Sequence, residues 1–346
     1  MAEDLRPTDT FRPAGRAVLG EFDLIRRYFT RPSPSGSPGV ALGVGDDCAL
    51  LRPSPGMQLA VAADMLVEGR HFLSTVDPRT LGHKALAVNL SDLAACGARP
   101  LACLLALALP RADDAWLAPF AQGLFALADA QGCPLVGGDT TQGPLNLCIT
   151  VLGEVPPGQA LLRSGARAGD DLYVSGTLGD ARLALDVFRG TLSVPAEVFA
   201  LARARLELPT PRVALGLALR GVATAAADVS DGLLGDLGHI LKASGVGARV
   251  DTDAALPLLA AAAPLARAGQ PLSTEAQLGY VLAGGDDYEL VFTAPPAARA
   301  AVQAAATQAG TPVTRIGAIE AAPGLHLHDH QGQPVSGRFA SFDHFA

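Results

Sequence analysis

The sequence predicts an α/β (α+β) fold in two domains. Its 346 residues exceed what one typical hydrophobic core supports. Apolar runs of strand length alternate with segments of helical spacing, and Pro156-Pro157-Gly158 interrupts this pattern near the middle. We therefore expect a polar N-terminal tail over residues 1–19, a first domain over 20–156 and a second domain over 157–346.

The first half of the chain alternates predicted strands and helices. Phe22, Ile25 and Phe29 have helical spacing, and Pro32 ends that segment. Leu86, Leu90 and Leu93 form the apolar stripe of a longer helix, which Gly97 ends. We expect helices over 21–29, 81–96 and 114–131, and strands over 40–44, 59–63, 101–109 and 147–151.

The second half carries similar patterns. Ser230 precedes Leu233, Leu237 and Ile240, which share one face, so Ser230 is predicted to cap a helix. An alanine-rich segment over 254–268 is predicted to be helical. We expect strands over 171–174, 221–227, 280–283 and 289–293.

Aspartates recur in short clusters beside glycine or serine, and most clusters adjoin an apolar run. We expect these carboxylates where strands end and loops begin, the usual location of sites on α/β sheets. Two unit charges about 4 Å apart interact by roughly 4 kcal/mol at an effective dielectric near 20, so converging aspartates need cations. Oxygen ligands with few histidines favour Mg2+ over zinc. The clusters are Gly45-Asp46-Asp47, Asp64, Ser91-Asp92, Gly138-Asp139, Asp228-Val229-Ser230-Asp231 and Gly285-Asp286-Asp287.

Composition excludes several classes of partner. The net charge of -8 argues against nucleic acid or an anionic membrane as the main partner. The longest apolar run, 101–109, is too short to span a membrane. The five cysteines have no CxxC spacing and indicate reduced thiols, so we expect a cytoplasmic protein. No GxxxxGK[ST] motif is present, which excludes a P-loop nucleotide site.

Three alternating histidines, His326, His328 and His330, have two interpretations. They could form a metal motif, but alternation also fits an exposed hairpin strand before the turn at Gln331-Gly332. The second interpretation is favoured because short motif matches are often false.

The clusters, in this order, resemble the thiamine-monophosphate kinases, a family of the aminoimidazole ribonucleotide synthetase-like ATP-binding superfamily. The resemblance extends from Glu21 to Phe345, nearly the whole chain. Each motif is weak alone, and together they are specific. They are the segments 43–49 (GVGDDCA), 64–72 (DMLVEGRHF), 84–95 (KALAVNLSDLAA), 137–141 (GGDTT), 230–233 (SDGL) and 285–290 (GDDYEL).

The resemblance implies a synthetase-like fold. Its N-terminal domain would bind ATP and several Mg2+ ions and form a homodimer through its sheet, and a larger C-terminal α/β domain would complete the cleft. The implied Mg2+ ligands are Asp47, Asp64, Asp92, Asp139, Asp228 and Asp231; the implied ATP contacts are Gly138, Asp139, Arg163 and Ser230; and the implied substrate contacts are His71, Asp286 and Phe342.

The chain departs from its relatives at two parts of the implied site. Ala62 and Ala63 replace hydroxyl residues, so any metal contact there must come from a main-chain carbonyl. Asp286 stands where relatives usually have Glu, and its shorter side chain would need a shifted loop or a bridging water to reach the substrate.

The resemblance implies phosphorylation of thiamine monophosphate to thiamine diphosphate by direct, Mg2+-assisted transfer from ATP. Two alternatives stay open. One is another ATP-dependent synthetase or dehydratase of the superfamily, although no reactive cysteine lies near either end of the sequence. The other is a non-enzymatic metal-binding scaffold, which would not bind nucleotide.

Overall fold

The computed structural model of the chain describes residues 20–31, 39–337 and 339. Within these residues the chain forms a four-stranded sheet, a six-stranded sheet and a short two-stranded ribbon, with helices packed on both larger sheets. The predicted α/β class is therefore confirmed. The predicted tail over 1–19 lies outside the described residues. Residues 156–158 lie in the connection between the two larger sheets, and the predicted domain division there stays a prediction.

The four-stranded sheet comes from the first half of the chain. It has the order β3-β6-β4-β5, in which only β4 and β5 are parallel. The elements are α1 (Glu21–Leu24), which continues as a π-helical turn (Ile25–Phe29), β1 (Val40–Leu42), β2 (Leu50–Leu51), β3 (Gln58–Val67), α2 (Pro78–Ala95), β4 (Arg99–Leu109), α3 (Asp114–Gln131), β5 (Leu135–Gln142) and β6 (Asn146–Val155).

Helices α2 and α3 cross at very short range. A Cβ atom on Gly82 would lie 2.1 Å from the carbonyl oxygen of Phe120, and one on Gly123 would lie 1.8 Å from that of Arg79. Only glycine allows the two backbones to approach this closely. The crossing fixes α2, which carries several of the predicted site residues.

The six-stranded sheet comes from the second half of the chain. It has the order β12-β9-β11-β7-β10-β8, and only β12 and β9 are parallel. The elements are β7 (Asp171–Ser175), α4 (Asp180–Phe188), α5 (Ala196–Glu207), α6 (Val213–Ala218), β8 (Ala225–Val229), α7 (Leu233–Ser244), β9 (Gly247–Asp251), α8 (Thr252–Ala255), a 3-10 turn (Leu256–Leu258), α9 (Ala262–Arg267), α10 (Thr274–Ala283), β10 (Glu289–Ala294), a 3-10 turn (Pro296–Ala298), α11 (Arg299–Ala309), β11 (Val313–Glu320) and β12 (Gly324–His328).

Three expectations for the second half are wrong in whole or in part. The predicted strand over 280–283 is the last turn of α10, a helix that Ser273 caps by accepting a hydrogen bond from the backbone N–H of Ala276. The predicted helix over 254–268 is divided into short pieces, with Pro257 in the 3-10 turn that follows α8. The strand expected over 221–227 begins only at Ala225, so Asp228 lies inside β8.

None of the helices in the described ranges is both long and apolar enough to cross a membrane.

Candidate active site

Asp64 and Asn89 link β3 to α2. Asp64 shares a face of β3 with Ala60 and Ala62, which pack on the core below α2. The buried Asn89 amide accepts a hydrogen bond from the backbone N–H of Asp64 (2.8 Å) and donates one to the carbonyl of Ala85 (3.0 Å). These two bonds satisfy the polar side chain in an apolar helix and hold the backbone of Asp64 in place. Because β3 is an edge strand, alternate carbonyls around Ala63 lie outside the sheet's hydrogen-bond ladder.

The charges of three carboxylates and one guanidinium group meet at the centre of the site, where they affect the pKa of Asp92 or Asp228. Burial, followed by the nearby charges of Asp228 and Asp64, raises the pKa of Asp92 to about 7. Burial also raises the pKa of Asp228 to about 6, with Asp64 adding to the shift. Arg163 opposes both shifts. The structure thus brings together Asp64, Asp92, Asp228 and Arg163, which we call the acidic cluster.

A hydrogen bond connects α2 to β8 within the acidic cluster. Ser91 Oγ donates to Asp228 Oδ2 at 2.8 Å, and both residues are buried. This bond favours the ionised form of Asp228, but it does not outweigh the burial.

Asp236 organises the turn between β8 and α7. Its Oδ2 atom accepts hydrogen bonds from the backbone N–H groups of Ser230, Asp231 and Gly232, each at 3.1 Å. The prediction that Ser230 caps α7 is therefore wrong, since Gly232 is the N-cap and Asp236 satisfies the free donors. Burial, assisted by Asp228 and Asp231, raises the pKa of Asp236 to about 7.

Gly138 and Asp139 lie within β5, beside β4. Gly138 has a φ of 143°, and a Cβ atom there would lie 1.8 Å from the carbonyl oxygen of Leu105. No other residue fits this position. Asp139 is exposed and follows in register with Ala106. Asp139 and Asp64 lie inside strands, so the expectation that the carboxylates follow strand ends is wrong for both.

Asp47 lies in the exposed loop between β1 and β2, where its backbone N–H donates to Asp46 Oδ1 at 2.8 Å. Asp47 and Asp139 are both exposed.

The described residues contain no group of three His, Cys, Asp or Glu side chains that could hold a metal ion by itself. Mg2+ in phosphate sites typically takes one or two carboxylates and completes its shell with water and phosphate oxygens. The acidic cluster fits that requirement. Burial and the neighbouring carboxylates raise the pKa values of Asp92 and Asp228, and a divalent cation would favour their ionised forms.

A pocket of about 160 Å³ lies between α2 and helices α4 and α5. His71 and Asp286, both predicted substrate contacts, line this pocket. His71 Nδ1 accepts a hydrogen bond from the backbone N–H of Val67 (3.0 Å), which leaves Nε2 as the protonated nitrogen of a neutral ring. Phe342, the third predicted substrate contact, lies outside the described residues.

Asp286 lies where the pocket approaches the acidic cluster. Its Oδ1 atom accepts hydrogen bonds from Lys84 Nζ (2.8 Å) and from the Tyr288 hydroxyl (3.0 Å). Burial raises the pKa of Tyr288 well above its usual value, and Asp286, Asp64 and Asp228 add to the shift. Charges from both the pocket and the acidic cluster therefore raise the pKa of Tyr288.

The loop that carries Asp286 has an unusual backbone. Asp286 and Tyr288 have positive φ angles of 60° and 52°, which non-glycine residues rarely adopt. The loop is held by backbone bonds from Asp286 N–H to the carbonyl of Ser230 and from Tyr288 N–H to that of Val229, each 2.8 Å. This geometry turns the side chain of Asp287 into the core, where it accepts a hydrogen bond from the backbone N–H of Gly179.

Buried charges anchor the loop at its C-terminal end. Glu289 is fully buried and accepts hydrogen bonds from Arg205 (2.7 Å), Arg212 (2.6 Å) and Ser175 (2.6 Å). Arg205 also donates to the backbone carbonyl of Asp287 at 3.1 Å. The ion-pair network around Glu289 therefore holds the C-terminal end of the loop in place.

Four charged residues of the pocket were not predicted as site residues from the sequence: Arg70, Lys84, Arg189 and Glu207. Lys84 lies within one of the motifs of the resemblance. A lone lysine in an apolar helix, in a chain whose other basic residues are almost all arginines, was the signal that could have indicated it as a site residue. Arg189 and Glu207 come from the ends of α4 and α5, and no local pattern indicates them.

The three alternating histidines do not form a metal site among the described residues, although the rings of His326 and His328 pack edge-to-face. His326 contacts Glu320, His328 contacts the carbonyl of Gly332, and His330 contacts Asp253. They lie on and just after β12, and a turn at 331–332 follows, as the interpretation as an exposed strand predicts.

Family models and curated sequences match most of the chain. The model "AIR synthase related protein, N-terminal domain" matches residues 45–155, and the corresponding C-terminal domain model matches residues 167–330. A relative from Salmonella typhimurium named thiamine-monophosphate kinase is 48% identical over 331 residues, which cover 95% of this chain and 99% of the relative.

Solved structures agree with the sequence matches. The crystal structure of thiamine-monophosphate kinase from Stenotrophomonas maltophilia K279a is 47% identical, with a TM-score of 0.78, and the match covers 86% of this chain and 92% of that chain. AaThiL, solved in complex with AMPPCP and TMP, is 28% identical with a TM-score of 0.71, and the match covers 84% of this chain and 89% of that chain.

Proposed function

The chain belongs to the thiamine-monophosphate kinases of the AIR synthase-related family, and on that basis we propose that it transfers the γ-phosphoryl group of ATP to thiamine monophosphate. The products are thiamine diphosphate and ADP. AaThiL binds AMPPCP, an ATP analogue, together with TMP, which supports both substrates.

The observation that carries this proposal is the junction between the pocket and the acidic cluster. His71 and Asp286 line the pocket, and Asp286 accepts a hydrogen bond from Tyr288, whose pKa the charges of Asp64 and Asp228 also raise. A substrate held in the pocket would thus present one end to the carboxylates that suit metal-bound ATP phosphates. We assign the thiamine part of the acceptor to the pocket and the phosphates of ATP to the acidic cluster.

Mg2+ bound at this site would neutralise the phosphates and align donor with acceptor. Asp64, Asp92 and Asp228 are best placed to hold it, and Arg163 beside them would contact the ATP phosphates through its forked guanidinium. Further proposed ligands are Asp47, Asp139, Asp231 and the carbonyls of Ala62 and Ala63. Gly138 and Ser230 are proposed ATP contacts.

The proposed reaction needs no strong general base, since the acceptor is already a phosphate oxyanion near neutral pH. The protein's task is to bring two anionic groups into line and to exclude water. Phe342 remains the proposed aromatic contact of the cationic thiazolium ring.

A coupled assay tests this function. Purified protein with ATP and Mg2+ should form ADP and thiamine diphosphate when given thiamine monophosphate, and should form neither product when given thiamine. Consumption of thiamine alone would overturn the acceptor, and absence of nucleotide binding in calorimetry would favour the scaffold alternative.

The chain is also proposed to form a homodimer through its four-stranded sheet. Leu59, Val61 and Met65 lie on the face of edge strand β3 that points away from α2, and each is at least half exposed, Val61 at 62%. Such an apolar stripe on an edge strand suits a second copy of the same sheet.

We expect Val61→Glu to convert the dimer into a monomer, because it places a charge in the centre of the apolar stripe. Sedimentation velocity measures the change. Leu201→Glu, at an exposed apolar residue of α5, should leave the dimer intact. A wild-type protein that sediments as a monomer would show that this interface is wrong.

Two further proposals complete the assignment. The five cysteines are all free, which supports a location in the reducing cytoplasm. The candidate site takes residues from both halves of the chain, which supports the proposed domain division at residues 156 and 157.

A further inference from the structure

Lys84 is a buried cation in the wall of the pocket. It lies in α2, its exposed fraction is 4%, and it is one of only two lysines in the chain. A buried ammonium group is costly unless it is paired and hydrogen-bonded. Its position therefore calls for a physical explanation.

The hydrogen bonds of Lys84 are incomplete within the described structure. An ammonium group carries three N–H donors. Among the described residues, Asp286 Oδ1 is the one acceptor for Lys84 Nζ, at 2.8 Å. The remaining donors are at the pocket, which must supply acceptors from water or from a ligand.

The charges of the pocket favour an anionic group. Arg70, Lys84 and Arg189 line it, against the carboxylates of Glu207 and Asp286. The Asp286 carboxylate, which also accepts the Tyr288 hydroxyl and is about one third exposed, offsets one of these three positive charges. A phosphate monoester, with up to two negative charges, suits this surplus.

Lys84 lies on the same helix as Asp92 of the acidic cluster. It precedes Asp92 by eight residues on α2, which corresponds to about 12 Å along the helix axis. Its partner Asp286 contacts Tyr288, which is itself influenced by Asp64 and Asp228. An anion on Lys84 would therefore lie between the pocket and the groups assigned to ATP.

We propose that Lys84 binds the phosphate group of the acceptor at this junction, and that Asp286 holds the Lys84 ammonium group in position. This inference rests on the proposed function and adds a residue to it. Lys84 thereby selects a phosphorylated acceptor over the unphosphorylated one and offsets the repulsion between the two reacting phosphates.

The test is a factorial set of variants, Lys84→Met, Asp286→Asn and the double variant. Methionine keeps most of the apolar stem of Lys84, and the double variant leaves no unpaired charge if the single variant does not fold. Lys242→Met, at the exposed second lysine on α7, is the matched control. Calorimetry with Mg2+ present measures the affinities for thiamine monophosphate and for thiamine.

The expected result is a loss of selectivity. Losing a charge-assisted hydrogen bond should lower the ratio of thiamine monophosphate affinity to thiamine affinity by roughly tenfold to a hundredfold in both variants that lack Lys84. Asp286→Asn should lower the ratio by less than Lys84→Met does, because the amide oxygen can still accept a hydrogen bond from Lys84, and Lys242→Met should not change it.

Two outcomes would contradict the inference. If Lys84→Met weakens both ligands equally, Lys84 only supports the pocket wall. If it changes neither affinity, the phosphate is bound elsewhere. A failure of the proposed function is distinguishable, because the wild-type protein would then bind thiamine monophosphate no more tightly than thiamine.

Discussion

Asp228→Asn is expected to lower kcat/KM on the order of a thousandfold and to stabilise the metal-free protein at the same time. The loss of activity follows from the removal of a charge assigned to hold Mg2+, a contribution of several kcal/mol. The gain in stability follows from burial, because the ionised carboxylate lies near Asp64 and Asp92 with little solvent to screen it. The amide keeps the shape and can still accept the hydrogen bond from Ser91.

The gain in stability should depend on pH. Burial raises the pKa of Asp228 from 3.8 to about 6 in the folded protein, so the folded state binds the proton more tightly than the unfolded state. In the wild type, the stabilisation of the folded state by protonated Asp228 is fully present below pH 4 and is lost as the pH rises through 6. The difference between Asp228→Asn and wild type should therefore be small at pH 4 and largest above pH 7.

Steady-state kinetics at saturating Mg2+ and thermal unfolding in the presence of a chelator measure the two effects. Asp129→Asn, at an exposed ion pair with Arg31, is the control and should change neither. Full activity of Asp228→Asn would remove Asp228 from the proposed metal ligands. Reduced stability at pH 8 would show that the buried charge is compensated in the folded protein.

Glu289→Gln is expected to lower the free energy of unfolding by about 3 to 5 kcal/mol. The change removes the one negative charge shared by Arg205 and Arg212, and leaves two largely buried guanidinium groups facing a neutral amide. Urea denaturation measures this loss. The surface variant Asp129→Asn should lose less than about 1 kcal/mol in the same experiment.

Glu289→Gln should also weaken thiamine monophosphate binding, since Glu289 and Arg205 anchor the loop that carries Asp286. A variant with wild-type stability would show that Ser175 and the backbone alone hold the network. A variant that is destabilised but binds the substrate normally would show that the loop conformation is independent of its anchor.

Helices and strands whose ends or apolar runs are marked in the local sequence could be predicted. The predicted helix over 114–131 has the bounds of α3, because Asp113 caps its start and Gly132 ends it in the left-handed conformation. The apolar run over 101–109 is most of β4, buried along nearly its whole length. In both cases the local pattern and the tertiary structure agree.

Short or functional segments could not be predicted in the same way. The run 280–283 is apolar in either secondary structure, and the signal that makes it helical is Ser273, seven residues before it. Free backbone N–H groups in the turn after Asp228 donate to Asp236, which lies within α7. Ser230, the polar residue nearest the predicted helix start, is therefore not the N-cap.

The candidate site was partly visible in the sequence. The motif pattern indicated Asp64, Asp92 and Asp228, and the structure brings these three together from β3, α2 and β8. Lys84 and Asp286 lie 202 residues apart in sequence, and their ion pair depends on how α2 packs against the six-stranded sheet. No local spacing encodes such a contact.

Helix α2 has a consequence for any opening of the cleft. It belongs to the four-stranded sheet and is locked to α3 at Gly82 and Gly123, and it carries both Lys84 and Asp92. A hinge motion that separates the two sheets would move these residues as one body. Opening would move Asp228 and Asp286 away from α2 and admit substrates. The spacing between Lys84, assigned to the acceptor, and Asp92, assigned to ATP, would stay constant through every catalytic cycle.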